Sequence, residues 1–150
     1  MNERVRGFEV VSKLINDKIK VPQRATEGSA GYDFFLYEDI EIKPGLNIIK
    51  TGIKAYMRLN EVLLLFIRSS LALKYGLMLA NSVAVIDSTF YNSDETEGEI
   101  CFLIYNLTNN VYKFNKGDRI GQGVFMKYFI VDNDNPVNST RIGGFGSTGA

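Results

Sequence analysis

The last ten residues of the chain combine residue types that can bind a phosphorylated ring compound. They read Arg141-Ile142-Gly143-Gly144-Phe145-Gly146-Ser147-Thr148-Gly149-Ala150. Glycines let backbone N–H groups converge on an anion, and the guanidinium and two hydroxyls add donors for phosphate. The phenyl ring of Phe145 offers a flat face to a base. Because glycine loses much entropy on ordering, we expect residues 139–150 to form a mobile arm that a ligand orders. A frayed terminus is the alternative.

Four further segments place polar side chains beside turns or strand ends. They are residues 22–33, 68–70, 81–90 and 117–122. Arg68 and the two serines that follow it precede a predicted helix, where free N–H groups favour phosphate, although serines there also serve as helix caps. Asp87 follows an apolar run, a place where aspartate is commonly a turn residue. Residues 117–122 give a hairpin signal with a candidate internal ion pair.

The composition excludes several kinds of chemistry. Lys plus Arg and Asp plus Glu both number 17, so neither duplex nucleic acid nor an anionic membrane is an expected partner. The chain has no histidine, which removes imidazole catalysis and His–Cys zinc sites. Its single cysteine, Cys101, excludes an intrachain disulfide, fits the reducing cytoplasm and lies in an apolar run that predicts a core position. No apolar run reaches transmembrane length, and the N-terminus does not resemble a signal peptide.

The hydrophobic pattern predicts an all-β domain of short strands over residues 1–138. Runs rich in β-branched and aromatic residues alternate with turn signals. The predicted strands cover residues 8–14, 40–42, 46–57, 62–67, 77–85, 99–106, 111–114 and 120–131. One short helix is expected from Ser70 to Tyr75, ending at Gly76. This spacing favours a sandwich, jelly roll or barrel.

Five motifs occur in an order that characterises one enzyme family. They are Gly28-Ser29-Ala30-Gly31-Tyr32-Asp33, Arg68-Ser69-Ser70-Leu71-Ala72, Asn81-Ser82-Val83-Ala84-Val85-Ile86-Asp87, Gly117-Asp118-Arg119-Ile120-Gly121-Gln122 and Gly143-Gly144-Phe145-Gly146-Ser147-Thr148-Gly149. On these motifs the chain, from Pro22 to its C-terminus, resembles the trimeric dUTP diphosphatases (dUTPases). Each motif alone is weak, whereas five in sequence are specific.

The resemblance implies a jelly-roll-like β subunit and a homotrimer. Its active sites would be shared between subunits, and the C-terminal arm of one subunit would close each site. The implied reaction is Mg²⁺-dependent hydrolysis of dUTP to dUMP and pyrophosphate, which limits uracil incorporation into DNA and supplies dUMP for dTMP synthesis. The triphosphate and water would hold the Mg²⁺, so no direct protein ligand is expected.

The resemblance also assigns roles to individual residues. Asp87 corresponds to the catalytic carboxylate that orients a water and takes its proton for attack on the α-phosphorus, which requires an ionised side chain. Asp33 corresponds to a second catalytic carboxylate, beside the waters of the metal. The expected substrate contacts are Arg68, Ser69, Ser70 and Gln122 on the α- and β-phosphates, Asn81, Ile86 and Phe90 around the base and sugar, and Arg141, Phe145, Gly146, Ser147 and Thr148 from the arm.

The chain departs from the family pattern near its third motif. Phe90 stands where a tyrosine usually packs on deoxyribose, and its phenyl ring keeps the steric block against a 2′-hydroxyl. The segment from Tyr91 to Glu97 is an extra stretch, similar to insertions in enzymes of Gram-positive bacteria and their phages. We expect a solvated loop there. A metal site formed by its acidic residues, and an interface for a regulatory protein, are the alternatives.

Two other functions compete with dUTP hydrolysis. A dCTP deaminase, related in fold, would need a differently placed glutamate beside the base. A binding protein could instead use its nucleotide state to control a partner. Retention of Asp33, Arg68 and Asp87 together with the glycine-rich arm favours hydrolysis.

Overall fold

Short strands dominate the fold, as the sequence predicts. A computed structural model describes residues 3–137. The strands are β1 (Gly7–Val10), β2 (Gln23–Arg24), β3 (Tyr32–Phe35), β4 (Ile40–Ile42), β5 (Gly45–Lys50), β6 (Ile53–Tyr56), β7 (Glu61–Ile67), β8 (Leu77–Leu79), β9 (Ala84–Asp87), β10 (Cys101–Asn106), β11 (Tyr112–Phe114) and β12 (Arg119–Lys127). The helix α1 spans Ser69–Tyr75, and two 3-10 turns span Ser12–Leu14 and Ser88–Phe90. Across the described residues, no helix has the length and apolar character needed to cross a membrane.

The structure divides two of the predicted strands. Residues 46–57 form β5 and β6, because the chain turns at Gly52, whose φ of 70° suits glycine. Residues 77–85 form β8 and β9, because the backbone turns at Ser82, which also has a left-handed φ of 62°. The predicted helix is confirmed with one added residue, Ser69, at its start. The last predicted strand stops at Lys127 rather than at residue 131.

Two antiparallel sheets enclose the core. The larger has the order β2-β3-β12-β7-β9, and the smaller has the order β5-β10-β8. Two further pairs, β1 with β6 and β4 with β11, extend the fold. Inward-facing residues alternate along β7, where Leu63 and Leu65 are fully buried while their neighbours are partly exposed. This period-2 burial is typical of a sheet with one face on the core.

The two sheets pack face to face through aromatic rings. Phe34 on β3 and Phe102 on β10 are both fully buried, and their ring centroids lie 5.3 Å apart in an edge-to-face arrangement. A Cβ atom at Gly121 would overlap the Phe102 ring, so only glycine fits the sheet at that point. Cys101, the strand neighbour of Phe102, is also buried, and burial raises the pKa of its thiol to about 11. The predictions of a jelly-roll-like β fold and of a core cysteine are confirmed.

The segment from Tyr91 to Glu97 is tied to the body of the protein at both ends. The Tyr91 hydroxyl donates to Glu9 Oε2 at 2.6 Å. At the other end, Lys54 Nζ lies 2.9 Å from Glu97 Oε2, which also accepts the Ser12 N–H at 2.8 Å. Bonding to Lys54 and Ser12 lowers the pKa of Glu97 to about 2. The expectation of a solvated loop is therefore wrong for the ends of this segment.

The middle of the same segment is exposed. Asp94 and Glu95 both face solvent, in line with the expected loop. Among the described residues, no group of three or more Asp, Glu, Cys or His side chains is placed to hold a metal ion. The structure therefore gives no support to a metal site on this insertion.

Candidate active site

Asp33 and Gln122 lie side by side on the outer face of the larger sheet. They are register partners on β3 and β12, and side chains of opposed residues share a face. A Cβ atom at Gly31 would overlap the amide oxygen of Gln122. Glycine at 31 thus gives the Gln122 amide room beside the Asp33 carboxylate, so a carboxylate and an amide are presented together.

A bulge in β12 adds a third polar side chain to this group. Arg119 opposes Phe35 and Gly121 opposes Phe34, so one extra residue, Ile120, stands between them on β12. Arg119 Nη1 lies 3.3 Å from Asp33 Oδ2. The internal ion pair predicted for residues 117–122 is therefore wrong, because Arg119 pairs with Asp33. Asp118 instead accepts the Asn115 N–H at 2.8 Å and closes the turn.

The start of α1 presents Arg68, Ser69 and Ser70 next to this group. Arg68 is the N-cap residue, with an extended backbone at φ −74° and ψ 138°, and no side-chain capping bond forms there. The two serines are the first helical residues, so neither acts as the cap. Since Ile67 opposes Gly121 on β12, the helix start lies at the same end of the sheet as Gln122.

An open depression lies between α1 and the turn before β12. Its volume is about 340 Å³, and its polar lining comes from Arg68, Ser70, Lys74, Asp118 and Arg119. Three of these side chains are cations and one is an anion. The depression therefore has the charge and the donors to hold a polyphosphate.

Asp87 occupies a different part of the sheet, at the end of edge strand β9. Its side chain faces solvent, as does that of Asn81 in the turn before the strand. Asn81 O accepts the Val83 N–H at 2.7 Å, which holds this turn tightly. A carboxylate at an exposed strand end is accessible to water and substrate, whatever its role.

Two residues expected around the base and sugar belong to the core. Ile86 is 7% exposed and Phe90 is 5% exposed, and both pack in the central hydrophobic cluster. Along β9, Ala84 and Ile86 face inward while Val85 and Asp87 face outward. In the single chain, the substrate contact expected from Ile86 is therefore limited mainly to its backbone.

The structure separates the predicted site residues into two groups. On β7, Phe66 opposes Gln122, the partner of Asp33, whereas Val62 opposes Asp87. Four residue steps of about 3.4 Å and three strand spacings of about 4.8 Å place the Cα atoms of Asp33 and Asp87 about 20 Å apart. Short aspartate side chains cannot close this gap around one phosphate. Within one chain, the residues expected to bind phosphate therefore lie far from Asp87.

Two cationic residues of the depression are absent from the substrate contacts predicted from sequence, and five predicted residues lie beyond the described part. Arg119 and Lys74 both line the depression. The motif from Gly117 to Gln122 pointed to the neighbourhood of Arg119, whereas only the fold reveals Lys74. The predicted arm residues are Arg141, Phe145, Gly146, Ser147 and Thr148, which lie outside residues 3–137.

Comparison with known proteins identifies the family of this chain and decides between dUTP hydrolysis and the competing functions. A family model described as dUTPase matches residues 17–149. The deoxyuridine 5′-triphosphate nucleotidohydrolase of Lactococcus lactis subsp. lactis (strain IL1403) is 47% identical over 149 residues, covering 98% of this chain and 99% of that protein. The chain belongs to the dUTPase family. The prediction of a dUTP diphosphatase, an enzyme that hydrolyses dUTP, is thereby confirmed.

Solved structures agree with this dUTPase assignment. The crystal structure of dUTPase from Streptococcus mutans superposes with a TM-score of 0.79 and 41% identity, covering 85% of this chain and 99% of that one. The dUTPase from phage phi11 of S. aureus gives a TM-score of 0.70 at 20% identity, covering 90% of this chain and 97% of that one. The second likeness supports the fold alone. The expected similarity to Gram-positive enzymes is confirmed by the first structure and the Lactococcus relative.

Proposed function

We propose that this dUTPase hydrolyses dUTP at sites assembled from different copies of the chain, with Asp87 as the general base. The observation that carries the proposal is the separation of about 20 Å between Asp87 and Asp33 within one chain. One bound nucleotide needs an attacking water at the α-phosphorus and cations along the phosphates. A second copy can bring its Asp87 to the depression beside Arg68. A shared site needs at least two copies, and the family resemblance implies that the assembly is a homotrimer.

The outer surface offers apolar area for such contacts. Val85 on β9 is 60% exposed, and Phe129 and Ile130, beyond the end of β12, are 88% and 70% exposed. Apolar side chains exposed to this degree are available to an association surface. Light scattering at micromolar concentration measures the mass. A monomer retaining full activity would contradict the shared site.

In the proposed reaction, the Asp87 carboxylate accepts a proton from water as the water oxygen attacks the α-phosphorus. The bond between the α-phosphorus and the bridging oxygen to the β-phosphorus breaks, so dUTP and water give dUMP and pyrophosphate. Arg68, Ser69, Ser70 and Gln122 donate to the α- and β-phosphate oxygens and offset the charge that develops there. The rate then depends mainly on in-line positioning, because aspartate is a weak base.

The residues around the depression fit a Mg²⁺ ion that arrives with the triphosphate. Mg²⁺ prefers oxygen ligands and retains waters, and Asp33 presents a carboxylate that is 13% exposed at this face. Asp33 would accept hydrogen bonds from the waters of the ion, with no direct bond to the metal. When bound, the ion neutralises phosphate charge and orients the triphosphate.

The base and sugar are expected at the turn before β9, where Asn81 and neighbouring backbone groups read the uracil edge. The burial of Phe90 in the core leaves no open ring face in the single chain for the deoxyribose contact predicted from sequence. We further propose that residues 139–150 close the site, with Phe145 over the uracil and Arg141, Gly146, Ser147 and Thr148 around the γ-phosphate. Removal of residues 139–150 should leave a folded trimer that is nearly inactive. Loss of folding would instead show that these residues are structural. In the cytoplasm, the compartment predicted for the chain, the reaction would limit uracil in DNA and supply dUMP for dTMP synthesis.

The direct test replaces Asp87 by asparagine, which keeps size and polarity but cannot accept the proton. Asp87→Asn should lower turnover by about 100-fold or more, the range of general base catalysis, while a non-hydrolysable dUTP analogue still binds. Pyrophosphate release is assayed with dUTP, dCTP, dTTP and UTP, and ammonia release is assayed in parallel. Near-normal turnover of Asp87→Asn would show that another carboxylate is the general base. Ammonia from dCTP would indicate a deaminase.

A further inference from the structure

The Asp33 carboxylate has a cationic partner within its own chain. Arg119 Nη1 approaches Asp33 Oδ2 at 3.3 Å. The Asp33 side chain is 13% exposed, whereas that of Arg119 is 43% exposed. The carboxylate is thus largely covered while part of the guanidinium faces solvent. Besides joining two strands, an ion pair of this kind can orient the carboxylate and offset its charge.

The bulge in β12 is the reason that this pair forms. In a regular strand, residues three apart, such as Arg119 and Gln122, point to opposite faces. The extra residue, Ile120, is buried, and it restores the alternation so that both side chains lie on the face of Asp33. The strand therefore departs from regular pairing where Arg119 reaches the Asp33 carboxylate.

Arg119 also lines the cationic depression that holds Arg68, Ser70 and Lys74. Its guanidinium therefore stands between Asp33 and the proposed phosphate site. A carboxylate at the edge of a polyphosphate site repels the incoming anion unless a cation offsets its charge. A planar guanidinium carries five N–H donors, so bonding to Asp33 leaves others free for phosphate oxygens.

We propose that Arg119 is a positioning residue for the dUTPase reaction. It holds the Asp33 carboxylate in one orientation at the edge of the phosphate site and offsets its charge before the nucleotide arrives. This inference rests on the proposed role of Asp33 toward the waters of a triphosphate-bound Mg²⁺. Partners that orient such a carboxylate typically affect metal affinity or activity by about 10- to 100-fold.

The test measures binding of α,β-imido dUTP to the full chain by calorimetry over a range of Mg²⁺ concentrations. Arg119→Gln should weaken Mg²⁺-dependent binding by about 10-fold or more, and Arg119→Lys, which keeps the charge and loses the planar fork, should fall between. Lys113→Gln is the matched control, because Lys113 forms an exposed pair with Glu41 at 3.8 Å and does not line the depression. That control should bind like the unmodified protein.

A purely structural ion pair predicts a different pattern. It would lower the melting temperature of Arg119→Gln and leave the Mg²⁺ dependence of analogue binding within about 2-fold of the unmodified protein, which would overturn the proposal. If Arg119→Gln fails to fold, Arg119→Lys carries the same comparison. Full Mg²⁺-dependent binding by Arg119→Lys would overturn the orientation of Asp33 by the planar guanidinium.

A double-mutant cycle separates positioning from direct phosphate binding. If Arg119 acts through Asp33, then Arg119→Gln should have little further effect on analogue binding in an Asp33→Asn background. Additive effects would overturn the positioning role. If Asp33→Asn alone leaves Mg²⁺-dependent binding unchanged, the proposed role of Asp33 fails. If only Arg119→Gln is silent, the inference fails and the proposed function stands.

Discussion

Mixing two inactive variants should restore activity if the active sites are shared. Asp87→Asn removes the proposed base, and Arg68→Gln removes a cation of the phosphate depression. Six residue steps on β7, from Val62 opposite Asp87 to Arg68, separate the two positions by about 20 Å within one chain. Each variant homotrimer should therefore be inactive, the first because all its sites lack the base and the second because all its sites lack the cation.

Random assortment gives the expected magnitude. In an equimolar mixture, a site is intact when its Asp87 comes from an Arg68→Gln chain and its Arg68 comes from an Asp87→Asn chain. Each condition has a probability of one half, so about one quarter of the activity of the unmodified protein should return. If both residues of a site came from the same chain, the mixture would stay at background.

The assay is pyrophosphate release after the two differently tagged variants are unfolded together and refolded. Native mass spectrometry verifies that mixed trimers form. A chain carrying both substitutions, mixed equally with unmodified chain, is the control. It should also retain about one quarter of the activity if the residues come from different chains, against about one half if they come from one. Background activity in verified mixed trimers would refute the shared site.

Two further perturbations act on single features of the fold. Gly31→Ala should displace the flexible Gln122 amide and remove one hydrogen bond to charged phosphate, which contributes about 1.5–3 kcal/mol. The expected result is a fall of about 10-fold or more in kcat/KM, with little change in Tm. Steady-state kinetics with a thermal melt checks this, and an unchanged kcat/KM would contradict it. Glu97→Gln should lower the free energy of unfolding by about 1 kcal/mol at pH 7, since the carboxylate pairs with the largely buried Lys54. Because the folded pKa of Glu97 is about 2 against an ordinary 4.5, this loss should be constant above pH 4.5 and shrink as the pH falls toward 2. Denaturation by urea across that range measures it, and an equal difference at pH 7 and pH 2 would count against the pairing.

The strands and the helix that carry the motifs could be predicted from the sequence. Asp87 lies at the end of β9 and Arg68 stands before α1, as the apolar runs and the glycine after the helix indicate. These features are local, because strand alternation and the Gly76 stop depend on near neighbours. The order of the five motifs along the chain then indicated the dUTPase family.

Features that depend on distant contacts could not be predicted. The pair between Arg119 and Asp33 requires both the register of β3 with β12 and the bulge at Ile120. The ends of the inserted segment are anchored by partners 82 and 85 residues away in sequence, at Glu9 and Ser12. An acidic, polar stretch has the composition of a solvated loop, and nothing within it reveals such partners.

The contact between Gly121 and the Phe102 ring links two strands from opposite sheets. Any side chain at 121 would have to occupy the volume of that ring, so the two positions are free to vary only together. In the evolutionary record of these enzymes, a larger residue at 121 should accompany a smaller one at 102. A gene library that randomises either codon alone should return mostly the parental amino acid.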